Sequence, residues 1–234
     1  MWLKALGVRL RKFLVIEGLI GVGKTTLCRL LQDTLNARLI LEPAETNPFL
    51  GPFYSDPERY AFSAQMFYLV NRWRQQDTIR QPELFSEFVV SDYLFAKDRL
   101  FAEKTLNPME LELYDRFAAA LGEMTPTPDL VIYLEADIDT ILGRIAERQA
   151  VGETAITREY LEDLRDRYNR LWSEYDDSPL LRLSNEDLNY RDDPKARERV
   201  IWKIQNALSG NPDEEPPGFL ANREVQTSLF TEQQ

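Results

Sequence analysis

A chain of 234 residues with 44% hydrophobic and 29% charged side chains has the size and apolar content of one α/β domain with a substantial core, and no stretch holds the roughly 18 consecutive apolar residues of a membrane span. Its 39 acidic residues against 28 basic ones leave a net charge of −11, which argues against binding long nucleic acid, whose phosphates reward a basic surface. There is no histidine, so a general base must be a carboxylate, and the single cysteine, Cys28, excludes an internal disulfide and suits a reducing cytoplasm.

The opening MWLKALGVRLRKF carries Lys4, Arg9, Arg11 and Lys12 but neither an uninterrupted apolar core nor a small-residue cleavage site, so residues 1–11 read as a short lead-in. The first predicted strand, 12–17, empties into FLVIEGLIGVGKT. This is the full G-x-x-x-x-G-K-[ST] phosphate loop, running through Gly18, Gly21, Val22, Gly23, Lys24, Thr25 and Thr26. The glycines let backbone N–H groups turn inward onto a phosphate chain, the following helix adds its positive end, Lys24 reaches the β and γ oxygens, and Thr25 offers its hydroxyl to Mg²⁺. Cys28, on that helix, is expected to pack as a small apolar group.

Further strands are predicted at 38–42, 86–91, 129–135 and 179–184, with helical periodicity between them, which is the pattern of a parallel sheet covered on both faces. Ligands of such sheets bind beyond the carboxyl ends of the strands, where three acids stand: Glu42, Asp92 and Glu135. Glu42, followed by the strand-stopping Pro43, is placed to accept the proton of an attacking hydroxyl. Asp92 is placed to bind Mg²⁺ directly or through water.

Asp56-Pro57 reads as a helix start, and on that helix Phe62, Met66, Leu69, Val70 and Trp73 form an apolar stripe. Gln65 and Arg72 lie seven residues apart on one side of it, where a glutamine amide suits the edge of a base and an arginine needs a carboxylate such as Asp98. Arg144 and Arg148, one turn apart before the loop QAVGETA, are what a lid needs to stabilise charge on a transferring phosphoryl group. From about Ser209 the composition turns to Gly, Pro, Asn and acid, the mark of a flexible tail over 209–234.

The phosphate loop, Glu42-Pro43, NPFLGPFYSDPERYAFSAQMFYLVNRW and SDYLFAKDRLFA, in this order and spacing, resemble the deoxynucleoside kinase family across about residues 12–208. The resemblance implies a three-layer P-loop kinase fold, with a five-stranded parallel sheet flanked by helices and a small lid. It also implies ATP as phosphoryl donor with Mg²⁺, a deoxynucleoside as acceptor and a homodimer. Residue by residue it implies Glu42 as base on the 5′-hydroxyl, Gln65 as bidentate partner of the nucleobase, and Tyr54 and Glu153 on the 3′-hydroxyl. Arg72 and Asp98 match the pair that surrounds the base in relatives accepting deoxycytidine and purines, which favours purine deoxynucleosides over thymidine.

Two departures stand out. Tyr93 occupies the place of the family's usual arginine after the third strand, with Lys97 as the candidate replacement, and Ala150 stands where a further lid arginine is common. The nearest rival of the same architecture, thymidylate kinase, needs arginines around Glu42 and at position 93 that Leu41, Pro43 and Tyr93 do not supply. A nucleotide-binding regulator without catalysis is the alternative from another class. Gln226, Leu229 and Phe230 in the tail fit a short Q-x-x-L-F pattern resembling peptides that bind the bacterial sliding clamp.

Overall fold

The computed structural model describes residues 12–41, 46–80, 86–122, 126–148, 156–184 and 189–211. Among these, five parallel strands form one sheet in the order β2-β3-β1-β4-β5: β1 (Lys12–Gly18), β2 (Arg38–Ile40), β3 (Phe88–Ser91), β4 (Leu130–Leu134) and β5 (Leu180–Leu183). Each predicted strand is present; β1 runs one residue beyond the expected 12–17, and the other four are each two residues shorter than expected. β2 stops at Ile40, and Glu42 lies outside the described residues.

The central strands are buried on both faces, which is why they read as continuous apolar runs: Leu14, Val15 and Ile16 in β1 and Val131 and Ile132 in β4 are completely inaccessible. One face carries α7 (Arg158–Glu174), whose Tyr168 and Trp172 rings pack on Tyr133 of β4 at 5.4 and 5.1 Å. The other alternating set of side chains needs cover too. It comes from α1 (Lys24–Leu35), packed along β1, β2 and β3, and α8 (Pro194–Leu208), packed along β4 and β5. At the amino end of the sheet Asp129 holds β1 in register, accepting from the Phe13 amide at 2.8 Å and from Lys12 Nζ at 3.0 Å.

A second, smaller apolar cluster lies under the substrate side. It joins α3 (Pro57–Arg80), α4 (Asp98–Thr105) and α5 (Pro108–Gly122) through Ala61, Leu69, Ala102, Leu106 and Tyr114. The short α2 (Leu50–Ser55), not foreseen, precedes α3, and Asp56 closes the one while its carboxylate accepts from the Arg59 amide at the start of the other. The expected apolar stripe of α3 needs correcting. Its inward face runs Ala61, Gln65, Leu69 and Arg72, all buried, while Phe62 and Met66 are half-buried against the small cluster and Val70 and Trp73 are half-buried outside it. The helix thus turns polar residues, Gln65 and Arg72, inward alongside the core residues Ala61 and Leu69.

α6 (Ile138–Arg148) completes the described elements and brings Ile141 and Ile145 against Gly21. Among the described residues no helix is long and apolar enough to cross a membrane. Truncating the fully buried Ile132 to alanine is expected to cost about 3 kcal/mol and to lower the melting temperature by roughly 6–12 °C, read by calorimetry.

Candidate active site

β1 delivers the chain to Gly18 at φ +147°, where a Cβ would lie 2.7 Å from the carbonyl oxygen of Leu134 on the neighbouring strand. Only glycine passes there, so the glycine that opens the phosphate loop is fixed by the sheet as well as by its ligand. Lys24 Nζ donates to the carbonyls of Gly18 and Leu19 at 2.9 and 3.0 Å, spreading its charge along the loop. Two more donors hold the loop from behind: Arg144 Nη1 reaches Val22 O at 2.7 Å, and Tyr190 Oη reaches Gly23 O at 3.1 Å. Burial pushes the Tyr190 phenol up, with Arg144 opposing, so it stays protonated and donating. Tyr190 escaped the sequence reading because nothing in its neighbourhood marks it as a partner of a glycine 167 residues away.

Thr25 Oγ1 donates to Asp92 Oδ2 at 3.3 Å, so the structure brings together the two residues predicted to serve a metal. Cys28, completely inaccessible one turn on, has its thiol pushed up by burial, with the charge of Asp92 adding to the effect. It packs as an apolar group. Thr26 is exposed beside them.

On the substrate side the structure joins residues that sequence could only list. Gln65 and Arg72 are both buried on α3, and Arg72 forms an ion pair with Asp98 at the start of α4. Gln65 Nε2 donates to the Asp98 carbonyl at 3.4 Å. The Arg72 guanidinium also stands over the rings of Tyr68 and Tyr93, 5.3 and 5.6 Å from their centroids, and Tyr93 Oη donates to the Arg72 carbonyl at 3.5 Å. A guanidinium this deep needs such compensation, and two aromatic faces plus a carboxylate supply it. Tyr114 of α5 closes the cluster: burial raises its phenol, and the charge and hydrogen bond of Asp98 raise it further.

Lys97, offered as a replacement cation, is buried in the 3₁₀ turn Phe95–Lys97, its ammonium 3.5 Å from Glu17 Oε1. Glu17 itself was missed. The signal was available as a lone acid inside the apolar run FLVIEG, which demands buried partners. Asn47, also missed, is buried and ties the chain leading to α2 onto α3 by donating to Ala64 O at 3.2 Å.

Glu42, Glu153 and the whole loop 149–155 lie outside the described residues, as do the side chain of Tyr54 and the tail with Gln226, Leu229 and Phe230. Arg148 is exposed at the end of α6, one turn beyond Arg144. Glu135, the third strand-end acid, is engaged by Arg182 of β5 at 2.6 Å.

A glycine-rich phosphate loop between β1 and α1, at the carboxyl edge of a parallel sheet and with Thr25 beside the strand-end acid Asp92, is the architecture of a P-loop phosphotransferase. The deoxynucleoside kinase family model matches residues 14–209, and the chain belongs to that family. It is 38% identical over 157 residues to the deoxyguanosine kinase of Bacillus subtilis, spanning 67% of this chain and 76% of that protein. With the deoxyadenosine/deoxycytidine kinase of the same organism it shares 31% identity over 205 residues, 85% of this chain and 94% of the relative. Among solved structures, deoxyadenosine kinase from M. mycoides with bound dATP superposes with a TM-score of 0.70 at 23% identity, covering 83% of this chain and 99% of that one.

Gly18→Ala is expected to lower the melting temperature and to erase the stabilisation, about 2.7 kcal/mol at a hundredfold excess over the dissociation constant, that a nucleoside triphosphate gives the wild type. Thermal shift with and without the nucleotide checks both.

Proposed function

We propose that this kinase transfers the γ-phosphoryl group of ATP to the 5′-hydroxyl of purine deoxynucleosides, with deoxycytidine as a secondary acceptor, in nucleotide salvage in the cytoplasm. The observation that carries this reading is the buried Gln65, Arg72 and Asp98 cluster: an amide, a guanidinium and a carboxylate held together at the end of the sheet, on the segment that starts at Asp92, which meets Thr25 of the phosphate loop. An amide that donates and accepts reads one edge of a base, and the ion pair offers both senses of hydrogen bond to another. The names of the Bacillus subtilis relatives, deoxyguanosine kinase and deoxyadenosine/deoxycytidine kinase, support the same acceptor range.

In this mechanism the loop amides and Lys24 hold the triphosphate, and Arg144 and Arg148 stabilise charge on the transferring group. Glu42 takes the proton of the 5′-hydroxyl, while Tyr54 and Glu153 hold the 3′-hydroxyl. Thr25 and Asp92 fit Mg²⁺, since a hydroxyl and a carboxylate oxygen within 3.3 Å of each other are hard donors that leave other positions to phosphate and water. The ion, when bound, neutralises charge on the β- and γ-phosphates. Because the transfer is loose, positioning and charge stabilisation matter more than proton removal, and both are functions of residues on the sheet's carboxyl edge.

The assay that tests this reading offers deoxyadenosine, deoxyguanosine, deoxycytidine, thymidine and thymidine monophosphate with ATP and Mg²⁺, side by side. Purine products are expected to dominate, and Glu42→Gln is expected to lower kcat about 10²-fold or more. Turnover of thymidine monophosphate alone would transfer the protein to the rival family, and tight nucleotide binding without any turnover would make it a regulator.

A homodimer belongs to the same proposal. On α5, Met109, Leu113 and Phe117 recur every fourth residue and are 83%, 44% and 47% exposed, an apolar stripe that no other described residues cover. The ion-paired Glu112 and Arg116 flank it, so two copies related by a twofold axis with α5 antiparallel would set each acid against the other's base. Light scattering is expected to give twice the 27.3 kDa chain mass, and Phe117→Glu to give the monomer.

A further inference from the structure

Glu17 takes no part in holding phosphate, yet its carboxylate is completely inaccessible and fully bonded. Oε2 accepts from the Gly18 amide at 3.2 Å and from the Tyr168 hydroxyl at 2.8 Å. Oε1 accepts from the Leu94 amide at 2.6 Å and faces Lys97 Nζ at 3.5 Å. Lys97 is itself held by the Phe101 ring, whose centroid lies 5.9 Å from its ammonium.

These contacts meet three separate pieces of the site. Gly18 opens the phosphate loop; Leu94 and Lys97 belong to the segment that runs from Asp92, beside Thr25, to Asp98, beside Arg72; Tyr168 belongs to α7, which follows the loop 149–155. Stability gives little reason for the arrangement, because a buried ammonium–carboxylate pair costs desolvation that its attraction barely offsets, and an apolar pair of similar volume often serves as well. Geometry gives a reason. The phosphate loop binds the donor, the Asp92–Asp98 segment lies along the acceptor, and a displacement of about 1 Å between reacting groups is enough to cost on the order of 10²-fold in rate.

We propose that Glu17, charge-balanced by Lys97, is a positioning residue that fixes the phosphate loop against the Asp92–Asp98 segment, so that donor and acceptor are held in line. The inference rests on the deoxynucleoside kinase reading above. It assigns Lys97 to the acid beneath the loop, and so gives this lysine a role through Glu17 rather than through the substrate itself. Each substrate binds chiefly to its own half of the site, so weakening the tie lowers turnover without weakening either binding step.

The experiment compares the wild type, Lys97→Met, Glu17→Gln, the double variant and Tyr168→Phe by melting temperature, kcat, and KM for ATP and for the best deoxynucleoside. Lys97→Met leaves a buried carboxylate without its counter-charge and is expected to lose both stability and turnover. The double variant buries no unbalanced charge and is expected to recover its melting temperature while kcat stays about tenfold or more below wild type and both KM values stay within about twofold. Tyr168→Phe is expected to lower kcat several-fold with little thermal effect.

Recovery of kcat along with the melting temperature in the double variant would make the pair structural and overturn the inference, as would a loss carried wholly by one KM. If the charge variants do not fold, an unchanged kcat in Tyr168→Phe overturns it. A wild type that phosphorylates no deoxynucleoside defeats the underlying reading and the inference with it, whereas a competent wild type whose variants keep their kcat defeats the inference alone.

Discussion

The site depends on a backbone contact: Gly18 passes the carbonyl of Leu134 so closely that no Cβ fits between them. Because the strands on either side are completely buried, neither can move aside to admit one. The chain therefore leaves β1 at one place and in one direction, and the amides of the phosphate loop inherit their aim from the packing of β1 on β4. Core and site are thus the same structure seen from two ends. The carbonyls of Gly18, Leu19, Val22 and Gly23 are taken up by Lys24, Arg144 and Tyr190, donors from α1, α6 and the segment before α8.

The substrate side follows a different rule. Here the helix α3 turns Gln65 and Arg72 inward, and two charged groups are buried with little apolar packing to support them. The compensation is local: Asp98 supplies the counter-charge, Tyr68 and Tyr93 supply π faces, and Tyr114 donates to Asp98 from α5 with a phenol that burial keeps protonated. Fixed in this way, the polar groups are pre-organised and have little side-chain freedom left to lose. The same burial means that truncating one member leaves the others unbalanced, so these residues act as a unit.

What the sequence made legible divides along the same line. The strands were visible because complete burial leaves an apolar run, and the loop because glycines at fixed spacing have few other uses. Gln65, Arg72 and Asp98 were visible as polar residues at helical spacing, although their contact is a matter of tertiary structure alone. The apolar stripe of α3 held for Leu69, which is fully buried, and for Phe62 and Met66, which pack against the small cluster, but not for Val70 and Trp73, which are half-buried outside it. Tyr168 and Tyr190 were overlooked because each acts on a partner more than 70 residues away, of which local pattern carries no record; Glu17 was legible as a lone acid in an apolar run, but its distant partners were not.

The segment after β3 shows how a changed residue can move a charge rather than lose it. Tyr93 stands where the resemblance to the family leads one to expect an arginine, and its ring is turned to the guanidinium of Arg72, with its hydroxyl on the Arg72 backbone. An arginine in that orientation would bring a second guanidinium towards Arg72, with only the Asp98 carboxylate to balance the two. The positive charge of the segment lies four residues further on, at Lys97, where it meets the fully buried carboxylate of Glu17. The segment thus carries two ion pairs with different acids: Arg72 with Asp98, and Lys97 with Glu17. Two separate pairs bury less unbalanced charge than two cations sharing one acid, and the aromatic ring gained at position 93 adds a further attraction to the first pair. The segment is thereby tied at Lys97 to the strand that opens the phosphate loop and at Asp98 to α3.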